Sequence, residues 1–384
     1  MRFNIPLAWL QLSREKIRLL IALAGIAFAV ILMFMQLGFQ AALYDSATRF
    51  HQSLQGDLVL ISSRSKSLAF MRTFSWRRLY QALSFEGVES ISPVYIGFKE
   101  WKNPYTGSLR VIYIYGFEPV NSVFKLPGVV ENLDKLRLNE NILFDRASRQ
   151  EYGPIATEFE RGKSISSELG GKTVNVIGLF TLGPSFGADG NIIMSDLNFF
   201  RLFSDRKSGE IEIGLIQLKS HANAQNILKN IEASFPKDVK VFTHQGFIDF
   251  EKSYWKTSTA IGFIFTLGVG MGFIVGTVIV YQILYTDVSE HLSEYATLKA
   301  MGYKNLFLEF VVFQEAIILA ILGYIPGFAI SLGLYDLAKN ATFLPIDMKA
   351  DRALIVVILT VIMCSISGLV AVRRLRKADP ADVF

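Results

Sequence analysis

The sequence is poor in cysteine and in charge. Cys364 is the only cysteine among 384 residues, which excludes a disulfide framework, a zinc site of several thiolates and a CxxC redox motif. Asp, Glu, Lys and Arg make up 19% of the residues, against about 25% in a typical soluble domain. This deficit argues against a disordered chain and against an ordinary soluble enzyme.

Nucleotide and enzyme motifs are also missing from the sequence. A phosphate-binding P-loop needs GxxxxGK followed by Ser or Thr, but the GK pairs at 162–164 and 171–173 have Thr157 and Ser166 where the first glycine is required. The four histidines form no HExxH pair, and no GxSxG segment occurs. We therefore predict a non-catalytic chain with no metal site and no cofactor of its own.

Long apolar runs are what the sequence has in abundance. A helix rises about 1.5 Å per residue, so roughly 20 apolar residues cross the hydrocarbon core of a membrane. Four segments meet this length, and the first exceeds the apolar run of a cleaved signal peptide. The predicted transmembrane helices are 19–44, 257–285, 306–335 and 353–372.

The Lys and Arg residues near these helices predict the orientation. Segments 1–18, 286–305 and 373–384 hold ten basic residues, against three in segment 336–352. The positive-inside rule therefore places both termini in the cytoplasm, segment 336–352 in a short periplasmic loop and segment 45–256 outside the inner membrane. The net charge of +5 is then explained by the membrane edges rather than by nucleic-acid binding.

The N-terminal arm, residues 1–18, has an amphipathic pattern. Asn4 is suited to an N-cap and Pro6 to the first helical turn, and Trp9 falls on the apolar face. The arm is predicted either to lie in the plane of the lipid headgroups or to extend the first transmembrane helix.

The external segment 45–256 has mostly strand patterns. Residues 88–101 and 108–117 flank a hairpin turn, NPYTG. Strand–helix–strand order occurs twice, with helices predicted at 75–83 and 222–233, and residues 120–205 form a β-rich stretch between the two. We predict an α/β domain of two lobes, in which 120–205 is a separate inserted lobe.

Three glycines and one carboxylate distinguish the predicted transmembrane helices. Gly268, Gly272 and Gly276 recur every four residues, which permits close helix packing either within one chain or, as favoured here, between two copies. Glu315 lies about two and a half turns into the third helix. A buried carboxylate there is either proton-linked or, as favoured here, hydrogen-bonded to a neighbouring helix.

The connecting segment 286–305 is short, mixed in charge and helical in pattern as far as Gly302, a suitable residue for a helix C-terminus. The sequence EYATLKAMGYKN at 294–305 and the tail AVRRLRKADPADVF at 371–384 resemble the corresponding segments of FtsX/MacB-type ABC transporter permeases. The arrangement of four helices with a large external domain after the first is similar to that family along nearly the whole chain, and the tail and external length are most similar to its DevC-type members.

This resemblance implies a function and a set of partners. Permeases of this type form homodimers, bind a separate ATPase chain that holds the ATP and Mg²⁺, and transmit its movement to their external domains. Because the sequence starts at the membrane arm, we expect the ATPase to be another polypeptide. A periplasmic adaptor and a TolC-like outer-membrane protein are the further partners implied, with a lipid or glycolipid as substrate. The fold implied is a MacB-like external domain with a porter-like lobe and an inserted lobe.

The resemblance also implies which residues contact the ATPase. They lie in segment 286–305 and in the tail. They are Glu290, Glu294, Leu298, Lys299, Met301, Gly302, Arg373, Arg374 and Pro380. Alternative functions are a lipoprotein-release permease of the Lol type, an FtsX-like regulator of a periplasmic hydrolase, a sensor, and an ion-coupled transporter.

Overall fold

The computed structural model describes residue 9, residue 12, residues 14–207 and residues 209–376. Most of the predicted amphipathic arm therefore lies outside the described residues, as do residues 377–384. The chain divides into two compact units. The helical unit contains the residues up to Ala42, Ala260–Thr342 and the residues from Ile346 on, and the α/β unit contains Leu43–Thr259 and Phe343–Pro345.

The helical unit is built from long apolar helices. Four helices are long and apolar enough to cross a membrane within the described part of the chain. They are α1 (Lys16–Ser53), α9 (Ala260–Glu290), α11 (Asn305–Thr342) and α12 (Ala350–Arg376), with the short helix α10 (Leu292–Ala300) between the second and third. Each predicted transmembrane segment overlaps one of these helices. Helices α1, α11 and α12 extend beyond both ends of the apolar run that predicted them, whereas α9 begins at Ala260, three residues after the predicted start, and continues five residues beyond the predicted end.

The α/β unit contains eleven strands among its described residues. They are β1 (Leu58–Ser62), β2 (Phe74–Ser75), β3 (Val88–Lys102), β4 (Leu109–Phe117), β5 (Asn141–Asp145), β6 (Ile165–Leu169), β7 (Lys172–Phe180), β8 (Asn191–Ser195), β9 (Glu210–Ile211), β10 (Ile213–Leu218) and β11 (Val239–Thr243). Its helices are α2 (Trp76–Gln81), α3 (Pro127–Val130), α4 (Leu133–Leu136), α5 (Ile155–Glu160), α6 (Asp196–Leu202), α7 (Ala224–Ser234) and α8 (His244–Ser253).

The repeated strand–helix–strand pattern forms one half of the sheet. Strands β11, β1, β10 and β3 are neighbours in that order, and every pair among them is antiparallel. The elements β1-α2-β3 and β10-α7-β11 thus interleave as a split βαβ arrangement, in which the strands of one repeat lie between those of the other. The order of elements predicted from the sequence is confirmed here, and the two helices begin and end within two residues of their predicted bounds.

The predicted hairpin is confirmed, and it links the two halves of the sheet. Strand β3 pairs with β10 through its first half and with β4 through its second half, after the turn at 103–108. The Asn103 side chain accepts hydrogen bonds from the backbone N–H groups of Tyr105 and Thr106 in this turn. Strand β3 is therefore long enough to belong to both halves.

Residues 120–205, predicted as a separate inserted lobe, supply the strands at one end of the sheet, and the bounds of that lobe stay a prediction. The strands of that segment continue the same sheet, which has nine strands in the order β11-β1-β10-β3-β4-β8-β5-β7-β6. One apolar cluster contains residues from both halves, such as Leu60 and Ile216 from one and Ile142 and Ile192 from the other. The parallel pairing of β4 with β8 joins these strands to the rest of the sheet.

Candidate functional site

The first candidate site is α10 and its flanks, where the sequence predicts contact with a partner. Residues 286–290 belong to α9, so the helix in the connecting segment is shorter than predicted, at Leu292–Ala300. Helix α9 continues beyond its apolar run because Val288 packs in a small core with Tyr295, Val312 and Val372.

The predicted role of Gly302 as the end of this helix is confirmed. Gly302 has φ of +93°, a left-handed conformation that favours glycine. Its N–H donates to the carbonyl oxygen of Lys299 at 2.9 Å, and the N–H of Tyr303 donates to that of Leu298 at 3.1 Å. This pair of bonds is the Schellman motif, so α10 has a defined end rather than a frayed one.

Helix α10 has one buried and one exposed face. Tyr295 and Ala296 are buried, and Leu298 packs against the same small core. Glu294 is exposed, and the Met301 side chain is 63% exposed. Of the residues implied in ATPase contact, Glu294 and Met301 therefore lie on an accessible surface, whereas Leu298 and the half-buried Lys299 face the bundle at least in part. We call Ser293, Glu294, Thr297, Ala300 and Met301 the exposed face of α10.

Glu290 is joined to the first helix of its own chain. The Arg18 guanidinium lies 2.5 Å from the Glu290 carboxylate and 2.8 Å from that of Glu15. It also lies 3.9 Å from the buried Asp287. In the sequence Arg18 is one of the basic residues near the membrane edge, and nothing local to either segment signals a contact between residues 272 positions apart.

Glu315 is fully buried, as its place in the apolar helix predicts. The Asp287 carboxyl group on α9 interacts electrostatically with Glu315. Neither Glu315 oxygen nor Oδ2 of Asp287 has a conventional hydrogen-bond partner among the residues that the structure describes. A functional role for Glu315 therefore stays a prediction beside the structural one.

The glycine face of α9 packs within the chain, so the favoured assignment to a contact between two copies is wrong. A Cβ atom at Gly268 would overlap the Gln36 side chain of α1, and one at Gly272 would lie 3.2 Å from Cγ of Met33. One at Gly276 would lie 2.7 Å from Cβ of Ala29 and would overlap Met363 of α12. The missing side chains let α9 approach α1 and α12 closely.

The tail residues of the predicted site are only partly described. Helix α12 runs to Arg376 and so includes the backbone of Arg373 and Arg374. Pro380 lies outside the described residues, as does the Asp-Pro segment that accompanies it in the sequence resemblance.

These features define a class of protein: an integral membrane protein with four apolar helices, one large α/β domain between the first two, and a short capped helix between the second and third. The family model of the MacB-like periplasmic core domain matches residues 19–234, more than half of the chain, and that of the FtsX-like permease C-terminal matches residues 266–380. The chain belongs to the MacB/FtsX-type family of ABC transporter permeases. Permeases of this family are typically the non-catalytic membrane subunit of the transporter.

Three solved structures resemble the α/β unit at low similarity. They are the periplasmic region of MacB from Actinobacillus actinomycetemcomitans (12% identity, TM-score 0.37, covering 54% of this chain and 95% of that one), the extracellular domain of the noncanonic ABC-type transporter YknZ from Gram-positive bacteria (12%, 0.32, 48% and 99%), and a domain of a putative permease from Porphyromonas gingivalis (11%, 0.30, 50% and 88%). No curated protein matched the sequence. Membership of the family therefore rests on the two family models.

Proposed function

We propose that this chain is the membrane subunit of a tripartite ATP-driven efflux pump. It forms a homodimer in the inner membrane, with both termini in the cytoplasm, and binds two copies of a separate ABC ATPase that holds the ATP and Mg²⁺. The observation that carries the proposal is α10, a short helix with a fixed end, a buried face and an exposed face, in a chain of a permease family. Such a helix presents a defined surface to a partner.

The proposed mechanism is mechanotransmission. ATP-driven closure of the ATPase pair displaces α10 through its exposed face. The displacement passes into the bundle because Tyr295 and Ala296 are packed inside it and because Arg18 links Glu290 to α1. The α/β units then change their arrangement and drive substrate outward, so no substrate path between the transmembrane helices is needed.

The proposed substrate is a lipid, a glycolipid or another amphiphile, delivered to a periplasmic adaptor and a TolC-like outer-membrane protein. The sequence features that support this finer assignment are the tail 371–384 and the length of segment 45–256, which resemble those of DevC, the membrane subunit of the cyanobacterial DevBCA exporter. A lipoprotein-release permease or an FtsX-like regulator would use the same ATPase without the adaptor and duct.

Purification of the tagged full chain from its native membrane in mild detergent tests the proposal. We expect mass spectrometry to identify an ABC ATPase and a periplasmic adaptor. Glu294→Arg reverses a charge on the exposed face of α10 and is expected to lower recovery of the ATPase. Glu86→Arg is the matched control, since Glu86 is an exposed residue of the α/β unit.

The outcomes separate the parts of the proposal. Recovery of the ATPase without an adaptor contradicts the tripartite pump and favours the lipoprotein-release or FtsX-like function. Recovery of neither protein in a preparation that remains dimeric contradicts the ATPase partnership itself. Equal recovery with Glu294→Arg and Glu86→Arg contradicts the role assigned to α10.

A further inference from the structure

The α/β unit contains a large cavity that the proposed coupling mechanism does not use. Its volume is about 720 Å³, within the range of about 300–1,000 Å³ typical of small-molecule sites. The walls come from the end of α1, the loop before α3, the segment after β5 and the loop after β7. Phe343 completes the wall.

The charges around the cavity have one sign. Arg49, Lys125 and Arg146 line it, and no Asp or Glu occurs among the described lining residues. Arg146 makes an exposed ion pair with Glu160 at 2.9 Å, outside the lining, and Arg49 donates to the carbonyl oxygen of Leu182 at 3.1 Å. The described lining residues therefore present cationic groups and no carboxylate to a ligand, although Glu160 outside the lining is already paired with Arg146.

Backbone hydrogen bonds hold the loop that carries Lys125, and a glycine makes room for Arg49. The N–H of Lys125 donates to the carbonyl oxygen of Ser53, and the N–H of Gln55 donates to that of Val123, so the loop is tied to the end of α1. Gly183 has φ of +87°, and a Cβ atom there would overlap the Arg49 guanidinium. The arginine position thus depends on this glycine.

A buried aspartate fixes the wall formed by the loop after β7. The Asp145 carboxylate accepts hydrogen bonds from the N–H groups of Leu182 at 3.0 Å and Gly183 at 2.8 Å, and from the Asn191 side chain at 2.7 Å. A further bond comes from the N–H of Ala147 at 3.1 Å. These four hydrogen bonds satisfy the Asp145 carboxylate within the fold and hold the wall in a fixed conformation.

The remainder of the lining is largely apolar. Phe144, Ile155, Leu182 and Phe343 contribute hydrocarbon surface. Phe343 has φ of +59°, an outlier for an aromatic residue, and its side chain is 44% exposed. Strained backbone of this kind is concentrated at ligand sites.

We propose that this cavity binds an anionic amphiphile, with an acidic head group at Arg49, Lys125 and Arg146 and a hydrocarbon portion against Phe144, Ile155, Leu182 and Phe343. This assignment rests on the proposed export function, for which it names the substrate class. A charged guanidinium or ammonium recognises phosphate or carboxylate oxygens through strong hydrogen bonds. A small hydrophilic anion is not the best occupant, because burial of the adjoining apolar wall adds affinity only for a ligand that carries hydrocarbon.

Isothermal titration of the purified full chain in a non-ionic amphipol tests the assignment without any ATPase or adaptor. The probes are dihexanoyl phosphatidic acid, dihexanoyl phosphatidylcholine and inorganic phosphate. We expect the phosphatidic acid to bind once per chain and far more tightly than the other two. Lys125→Ala is expected to weaken the binding of phosphatidic acid by about tenfold or more, the effect of one lost hydrogen bond to a charged group. Lys229→Ala, at an exposed lysine outside the cavity, is expected to leave this binding unchanged.

The apolar wall is tested by Phe343→Asn, since asparagine tolerates the left-handed backbone. This substitution is expected to weaken the binding of phosphatidic acid and to leave the binding of inorganic phosphate unchanged. Equal binding of phosphatidylcholine, equal binding of inorganic phosphate, or no binding of phosphatidic acid would each overturn the assignment. Such a failure would leave the ATPase partnership intact, because that is measured separately by co-purification.

Discussion

We expect Gly276→Ala to destabilise the helical unit, whereas Gly270→Ala in the same helix does not. A Cβ atom at Gly276 would lie 2.7 Å from Cβ of Ala29, closer than packed carbon atoms approach. Met363 can rotate away from the new methyl group, but Ala29 is a short side chain on α1 and can yield only if the backbone moves. At Gly270, nothing lies within 4 Å of the same position.

The two substitutions form a matched pair from which the packing cost can be extracted. Both remove a glycine from the interior of α9, so both gain about 1 kcal/mol of helix propensity. Only Gly276→Ala overpacks a filled contact, at a cost of about 1–3 kcal/mol. The free energy of unfolding is therefore expected to be about 1–3 kcal/mol lower for Gly276→Ala than for Gly270→Ala.

Reversible unfolding of the full chain by steric trapping in bicelles measures this difference. Equal stability of the two variants would refute the packing within one chain. So would a Gly276→Ala variant that loses its dimer while each subunit keeps the wild-type stability, because that is the result expected of a glycine face between copies.

Three further predictions concern other parts of the chain. Gly302→Ala places a side chain at φ of +93°, which costs about 1–2 kcal/mol, so we expect α10 to lose its fixed end and co-purification of the ATPase to fall, with Gly270→Ala as control. Burial raises the pKa of Asp145 despite its hydrogen bonds, so the folded state retains this proton to higher pH than the unfolded state does. The free energy of unfolding should then fall as the pH rises from the ordinary aspartate range through the raised pKa, and this slope should be missing in Asp145→Asn when both are measured by urea denaturation. Trp101 is fully buried and donates through Nε1 to the carbonyl oxygen of Tyr152 at 3.1 Å; Trp101→Ala should cost about 3–5 kcal/mol in the same assay, whereas exposed Trp76→Ala should change little.

Features with a local signal in the sequence were predicted well. The four apolar helices follow from run length, the hairpin at 103–108 from its turn residues, and the end of α10 from Gly302, because each depends on neighbouring residues only. The two strand–helix–strand repeats were also recognised. Their interleaving into one sheet was not, since strand order depends on partners far apart in the chain.

Features that depend on distant partners were missed or misassigned. The residue pattern of β4 and β8 predicts strands but not their parallel pairing, so the continuity of 120–205 with the rest of the sheet was not predicted. The spacing of Gly268, Gly272 and Gly276 predicts a close contact but not which helix makes it. The cavity has no signal at all in the sequence, because Arg49, Lys125 and Phe343 are brought together only by the fold.

The central claim, that α10 is the contact for an ABC ATPase, is tested most directly by cross-linking from Met301. The chain has a single cysteine, Cys364, which is buried, so Met301→Cys adds one accessible thiol on the exposed face of α10. Labelled with a thiol-reactive benzophenone in native membranes and irradiated, this variant is predicted to cross-link to an ABC ATPase, and Lys229→Cys in the α/β unit is predicted not to do so. Failure of Met301→Cys to capture an ATPase when labelling is complete, or capture of the same ATPase from both positions, would contradict the account.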